Sequence, residues 1–253
     1  MIIDAPQTDQ IKELWRLWQD CFGDTEDFIR NFESTAFDRQ RCRCVTVDGK
    51  VVAALYWLDC LWEEKKVAYL YAIATDKLHR GQGICHRLME NTHTHLESLG
   101  YVGALLVPSN GELFGFYKKM GYATCGYVSK YECQAQSRGI GVREINGEEY
   151  VLRRRALLPV GGVLQEGENI RLLGTMARLY CADGLLLAAR IENGVVYGLE
   201  LLGDSDLASQ AVSALGCTNG IFRTVGEDIP FAMYRGFDTN VTHMPSYFGL
   251  AFD

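Results

Sequence analysis

Between Tyr69 and Cys85 the chain reads Tyr-Leu-Tyr-Ala-Ile-Ala-Thr, then Asp-Lys-Leu-His, then Arg-Gly-Gln-Gly-Ile-Cys. The first seven residues form an apolar strand, the next four a turn, and the last six set two glycines where a helix begins. Glycine at a strand-to-helix junction lets backbone N–H groups converge without Cβ interference, and the helix N-terminus adds positive potential. Arg80, Gly81, Gln82, Gly83, Ile84 and Cys85 are therefore read as a cradle for an anion, above all a phosphate or pyrophosphate. The loop matches neither GxxxxGKS/T nor GxGxxG, which disfavours nucleoside triphosphates and dinucleotides. A strand that feeds such a loop and helix commits this region to an α/β layer.

The flanking segments supply the rest of that layer. Ile11, Leu14, Trp15, Trp18, Cys21 and Phe22 recur at steps of three and four, which predicts an amphipathic helix with Thr8 as N-cap and Gly23 as stop. A shorter helix is expected over Glu26 to Thr35. Arg43 to Val47 and Val51 to Leu58 read as strands closed by Asp48-Gly49, a strong hairpin signal. After the loop a helix should run to Ser98, with Ile84, Leu88, Met89, Leu96 and Leu99 facing the sheet. Then come a strand from Tyr101 to Val107, a short helix from Glu112 to Met120, and a strand pair over Tyr122 to Cys133. The expected class is α/β with a mixed sheet.

The remainder repeats parts of this pattern. Leu186 to Ile191, Glu192-Asn193-Gly194 and Val195 to Leu202 reproduce the strand, turn and strand of Arg43 to Leu58. Ser205 to Leu215 reads as a helix, and Pro230 to Phe237 resembles Leu113 to Tyr122 in sequence. The chain is therefore divided into residues 1–135 and a smaller, degenerate copy, 136–253, with the boundary in the polar stretch Gln134 to Glu148. The copy has only Gly203-Asp204 ahead of its helix, so it lacks the anion loop and one active site is expected.

Bulk properties narrow the partners. A formal net charge of -7, with Arg153 to Arg155 as the only basic run, excludes nucleic acid and favours a cationic substrate such as an amine. Met1-Ile2-Ile3 followed by Asp4 is unlike a signal peptide, and no apolar run spans a bilayer, so a cytoplasmic chain without membrane contact is expected. The nine cysteines are odd in number and irregular in spacing, which reads as core thiols with neither disulfide nor metal. His86, Glu90 and His93 share a helical face, here read as solvated rather than metal-binding. Trp15, Trp18, Trp57 and Trp62 are assigned to the core.

The loop resembles the Q/R-x-x-G-x-G/A motif with which the GCN5-related N-acetyltransferases (GNAT) grip the pyrophosphate of acetyl-CoA. Arg80 opens it, Gly83 is its central glycine, and Cys85 stands where that family has Gly or Ala. A second signature, N-x-x-A-x-x-h-Y-x-K-x-G-F/Y, is matched by Asn110, Phe116, Tyr117, Lys119, Gly121 and Tyr122, with Leu113 replacing the usual Ala. The resemblance implies a GNAT fold followed by a degenerate GNAT-like domain, similar to Eis-type tandem members without their third domain. It implies that Ile73, Ala74, Thr75, the loop and Asn110 bind acetyl-CoA, and that Tyr117 is the general acid. It implies an acyltransferase in which a small-molecule or peptide amine attacks the thioester directly. Binding of acyl-CoA without turnover, as a sensor or interaction protein, is the alternative. A decayed scaffold is opposed by the retention of Arg80, Gly83, Asn110 and Tyr117. The second half is expected to wall the acceptor cleft or to mediate a homodimer. No base is assigned: Asp59, Glu63, Glu64 and Glu112 lie near the cleft in sequence but read as solvated carboxylates, and no base role is carried over to Asp253.

Overall fold

The computed structural model of the chain describes residues 1–136, 140–238 and 243–252; the expected boundary stretch and Asp253 lie partly or wholly outside them. Turn chemistry lays down the first strands. β1 (Ile2–Asp4) pairs with β2 (Cys42–Val47), and Asp48 and Gly49, at φ 47° and 80°, close β2 onto β3 (Lys50–Trp62). Glu63 and Glu64 take positive φ without a glycine to close β3 onto β4 (Lys65–Thr75). Two helices precede β2. α1 (Ile11–Phe22) is entered through a 3-10 turn at Thr8–Gln10, so Thr8 starts the turn instead of capping the helix, and Gly23 ends it at φ 74°. α2 (Glu26–Thr35) is capped by the Thr25 hydroxyl, which accepts from Phe28 N at 3.2 Å.

Beyond β4 follow α3 (Ile84–Ser98), β5 (Gly103–Leu106), α4 (Gly111–Lys118) and β6 (Ala123–Gln134). The second half contains β7 (Arg143–Glu144), α5 (Gly147–Leu157), β8 (Leu164–Gln165), α6 (Glu168–Met176) and β9 (Arg178–Ala182). It continues with β10 (Leu185–Glu192), β11 (Val195–Gly203), α7 (Ala208–Ala214), β12 (Asn219–Val225) and β13 (Ile229–Gly236). All strands join one sheet, in the order β1-β2-β3-β4-β5-β13-β6-β12-β11-β10-β9-β7, with β8 added beside β3. The order is palindromic in kind. Each half runs inward to a parallel pair, β4–β5 or β11–β12, and each then places its last strand between the other half's strands.

This exchange revises three expectations. Tyr122 to Cys133 is a single strand, β6, whose neighbours β13 and β12 both come from the second half. Its Gly126 serves close approach, since a Cβ there would press on Ala232 and on the backbone of Phe248. The hairpin at Asn193-Gly194 joins β10 to β11, directly before α7, so in space it corresponds to β3–β4 and not to β2–β3. Pro230 to Phe237 lies almost wholly in strand β13, whereas Leu113 to Tyr122 contributes most of α4.

Strand alternation sends Cys44, Tyr56 and Leu58 to one face, where they pack with α1, α2, α6 and residues 247–252. Val45, Leu55 and Trp57 face the other way, under α3 and α4, while α7 covers the second half on its own cluster. Trp18, Trp57 and Trp62 are buried as expected, and all nine cysteines are free thiols. Leu99 is half-exposed because α3 ends at Ser98.

His93 is not solvated. Its Nε2 lies 2.7 Å from the Tyr122 hydroxyl, and Arg235 of β13 reaches Glu90 at 2.5 Å, drawing that carboxylate away from any metal role. Burial, then the Arg235 charge, push the His93 pKa down to about 4. The unfolded chain therefore binds more protons between pH 6.5 and 4, and His93 contributes stability at neutral pH that is lost as pH falls through that window. From pH 6.5 to 4.5 the loss should be about 2–3 kcal/mol. Urea titrations across this range should show a steeper decline for the wild type than for His93→Gln.

Candidate active site

The site begins where the sheet opens. β4 and β5 pair in parallel from Val67↔Gly103 to Tyr69↔Leu105, and the pairing ends there although β4 continues to Thr75. On its other edge β4 carries a bulge: Ala54 pairs with Ala74 but Tyr56 with Tyr71, which leaves one extra residue on β4. Ala72 takes φ 48° at that point, an uncommon conformation for a residue with a Cβ. The bulge re-aims the main chain of Ile73, Ala74 and Thr75. Val67 to Leu70 are buried, whereas Tyr71 to Ile73 are half-buried along the opened strand.

The loop follows at once. Asp76 N donates to Val52 O at 2.8 Å and its carboxylate accepts from Leu78 N at 2.8 Å, holding the turn Lys77–His79. Gly81 and Gly83 both adopt the left-handed conformation, at φ 75° and 72°, and a Cβ on either would project into open space. Gly83 is the N-cap of α3 and has no side chain to cap it, so the first amides of the helix keep their donors for a ligand. The long side chains of the loop turn back on it. Arg80 Nε donates to Thr75 O at 3.0 Å, Gln82 Nε2 to Leu78 O at 3.2 Å, and Arg87 to Gln82 O at 3.1 Å. Arg80 and Gln82 thus brace the loop, which leaves main-chain groups around Gly81, Gly83, Ile84 and Cys85 as its candidate donors. Ile84 anchors α3 in the core, and burial pushes the half-buried Cys85 thiol up to about 11.

Asn110 caps α4, accepting from Glu112 N at 3.1 Å and Leu113 N at 3.2 Å, so its side chain is spent on orienting that helix. α4 in turn carries the buried Tyr117, whose ring lies 6.0 Å from that of Tyr122. Burial, then the neighbouring Cys85, raise the Tyr117 pKa, so it remains a phenol throughout the neutral range. α3 and α4 thus bring Cys85 and Tyr117 together. Asp59, Glu63 and Glu64 are not near the opened strand. Asp59 pairs opposite Ala68, engaged by Tyr101 and Arg41, while Glu63 meets His243 and Glu64 meets Arg155. Glu112 sits in the first turn of α4.

Sequence reasoning expected the second half to wall the cleft but did not identify the residues that cover the other face of the opened strand. The Tyr71 hydroxyl donates to Phe252 O at 2.6 Å, and Phe248 packs on Tyr69 with ring centroids 4.8 Å apart. Phe252 lies 6.0 Å from both tyrosine rings, and Trp18 of α1 lies 5.6 Å from Tyr71. The only signal was the apolar composition of Phe248 to Phe252, which does not say where the segment docks.

Comparison with known proteins accords with this geometry. Residues 3–125 match the family model described as an acetyltransferase (GNAT) domain. No curated protein sequence matches the chain. A GCN5-related N-acetyltransferase from Kribbella flavida superposes with a TM-score of 0.72 at 18% identity, over 94% of this chain and 71% of that one. Eis1 from Mycobacterium abscessus gives 0.69 at 12% identity, over 94% and 74% of the two chains. A GCN5-related N-acetyltransferase from Anabaena variabilis gives 0.71 at 14%, over 94% and 73%. At these identities the structures establish likeness of fold. The family match, the opened β4 and the glycine start of α3 agree: residues 3–125 of this chain are a GNAT acetyltransferase domain.

Proposed function

We propose that the chain is an N-acetyltransferase that moves the acetyl group of acetyl-CoA onto a primary amine by direct attack on the thioester. The observation that carries this reading is the convergence of three features: the bulged, unladdered end of β4, the uncapped glycine start of α3, and Tyr117. The residues fit the coenzyme. The main chain of Ile73, Ala74 and Thr75 would hold the pantetheine arm, and Gly81, Gly83, Ile84 and Cys85 the pyrophosphate. Arg80, Gln82 and Asn110 brace those elements.

When bound, the thioester supplies an activated acyl group; the protein contributes position and polarity. Tyr117 is a weaker acid than a thiol, so its role at the departing sulfur is that of a hydrogen-bond donor. The proton that neutralises the sulfur comes from the attacking nitrogen, which must shed one to become an amide. No base is assigned. Residues 136–253 form, in this reading, a degenerate copy of residues 1–135, supported by the palindromic strand order. That copy would be non-catalytic, since only Gly203, Asp204 and the 3-10 turn Ser205–Leu207 precede the short α7. The nine free thiols suit a reducing cytoplasm, and among the described residues no helix is long and apolar enough to cross a membrane.

Thiol release from acetyl-CoA, with a lysine-containing peptide, spermidine and 2-phenylethylamine as acceptors, tests the reading. Tyr117→Phe should lower kcat by about 10- to 100-fold and leave acetyl-CoA affinity within about twofold. An unchanged rate would remove Tyr117 from the mechanism. Tight acetyl-CoA binding without turnover of any amine would instead mark the chain as a non-catalytic acyl-CoA binder.

A further inference from the structure

A buried ionic network in the second half ends on the wall of the opened strand. Glu200 of β11 and Arg154 of α5 are both fully buried as side chains. Glu200 Oε2 accepts from Arg154 Nε at 2.7 Å and from the Tyr150 hydroxyl at 3.0 Å. Its Oε1 accepts from Arg154 Nη2 at 2.9 Å and from the Tyr247 hydroxyl at 3.1 Å. Arg154 also donates to Val163 O at 3.2 Å and to the Gln165 side chain at 3.4 Å, and Gln165 Nε2 donates to Leu250 O at 2.9 Å.

Two members of this network therefore grip residues 247–252: Tyr247, which belongs to that segment, and Gln165. Backbone bonds from Val163 N to Tyr247 O and from Ser246 N to Gly161 O, at 2.9 and 3.0 Å, complete the grip. Gly249 is required there, because a Cβ would lie inside contact distance of both the Tyr247 hydroxyl and Glu200. On its other side the segment presents Phe248 to Tyr69 and Phe252 to Tyr71, and Tyr71 immediately precedes the Ala72 bulge. A buried ion pair adds little stability over an apolar substitute of equal size, but it fixes direction, because every oxygen needs its donor.

We propose that Glu200 and Arg154, acting through Tyr247 and Gln165, are positioning residues by which the second half sets the acceptor side of the acyl-transfer site. α3 and α4 cover the face that carries the coenzyme cradle, whereas residues 247–252 pack with α1 and α2 on the opposite face. The amine reaches Ala72 to Thr75 from that opposite face, and the network decides how the wall lies along its path. The inference rests on the transfer reading above.

Three full-length variants test it: Tyr247→Phe and Gln165→Met, which leave the Arg154–Glu200 pair in place, and Gly249→Ala, which presses on Glu200 and the Tyr247 hydroxyl. Hydrogen exchange by mass spectrometry should show amides of residues 246–252 exchanging about tenfold faster or more. For whichever of the peptide, spermidine and 2-phenylethylamine the wild type acetylates, kcat/KM should fall about tenfold, with acetyl-CoA affinity held within about twofold. A purely structural role would weaken coenzyme and amine handling alike. Faster exchange with an unchanged amine kcat/KM overturns the proposal, as does unchanged exchange in all three variants. A wild type that acetylates none of the amines fails the transfer reading itself, and that result is visible before any variant is made.

Discussion

A chain cut after Gln136 should not yield a soluble, acyl-CoA-binding domain. β13 lies between β5 and β6 and pairs with both, through Met233↔Leu106 and Tyr234↔Leu105 on one side and Ile229↔Val128 and Tyr234↔Ala123 on the other. Removing it together with β12, the other neighbour of β6, leaves β6 without a partner strand and β5 with a bare edge, a template for aggregation. It takes Met233 from the core beneath α3 and α4, and Phe231, Ala232 and Tyr234 from the core on the other face. Each large side chain contributes about 1.5–3 kcal/mol by burial, so three of them account for much of the 5–15 kcal/mol typical of a folded domain. The ion pair between Arg235 and Glu90 is lost as well. Gel filtration and thermal circular dichroism should show an aggregated or non-cooperative product. A soluble monomer with a cooperative melt would show that the strand exchange is dispensable.

Gly83→Val should abolish acetyl-CoA binding. Gly83 sits at φ 72°, where a β-branched residue is strained by about 1–2 kcal/mol, and its Cβ would enter the open space before the α3 amides. The anion loses both the room and the backbone geometry that align those donors, and an affinity loss of at least about 100-fold follows, equivalent to roughly 2.7 kcal/mol. Gly23→Val is the matching control. Gly23 has φ 74° and open space around its Cβ, yet it ends α1 and lies outside the cradle. It should lower the melting temperature by a similar amount and leave acetyl-CoA affinity unchanged. Equal losses in the two variants would mean that strain alone, and not the cradle, explains the result.

What the sequence disclosed was local chemistry. Asp48-Gly49, the αL stop at Gly23 and the glycines that open α3 each depend on residues within one or two turns, and each turn forms where expected, whereas Asn110, read only as a coenzyme contact, caps α4. The bulge at Ala72 left no such trace, because alanine carries no mark of positive φ. Alternation over 122–133 announces a strand but not how many, and partners more than 90 residues away made it one. Asp59, Glu63 and Glu64 are close to the site strand in sequence, yet the β3–β4 hairpin carries them to its far end. His86, Glu90 and His93 do share a helix, but Arg235 arrives from β13 to claim Glu90, and Tyr122 claims His93. The wall formed by Phe248 and Phe252 depends on contacts spanning about 180 residues, which no local pattern encodes.

Calorimetric titration of the full chain with acetyl-CoA tests the account most directly, with free coenzyme A and Gly83→Val alongside. The account predicts micromolar-range binding at one site per chain, lost in the variant, because among the described residues α3 alone pairs an uncapped glycine start with an unladdered strand ahead of it. Two sites per chain, or no binding by a folded wild type, would contradict it.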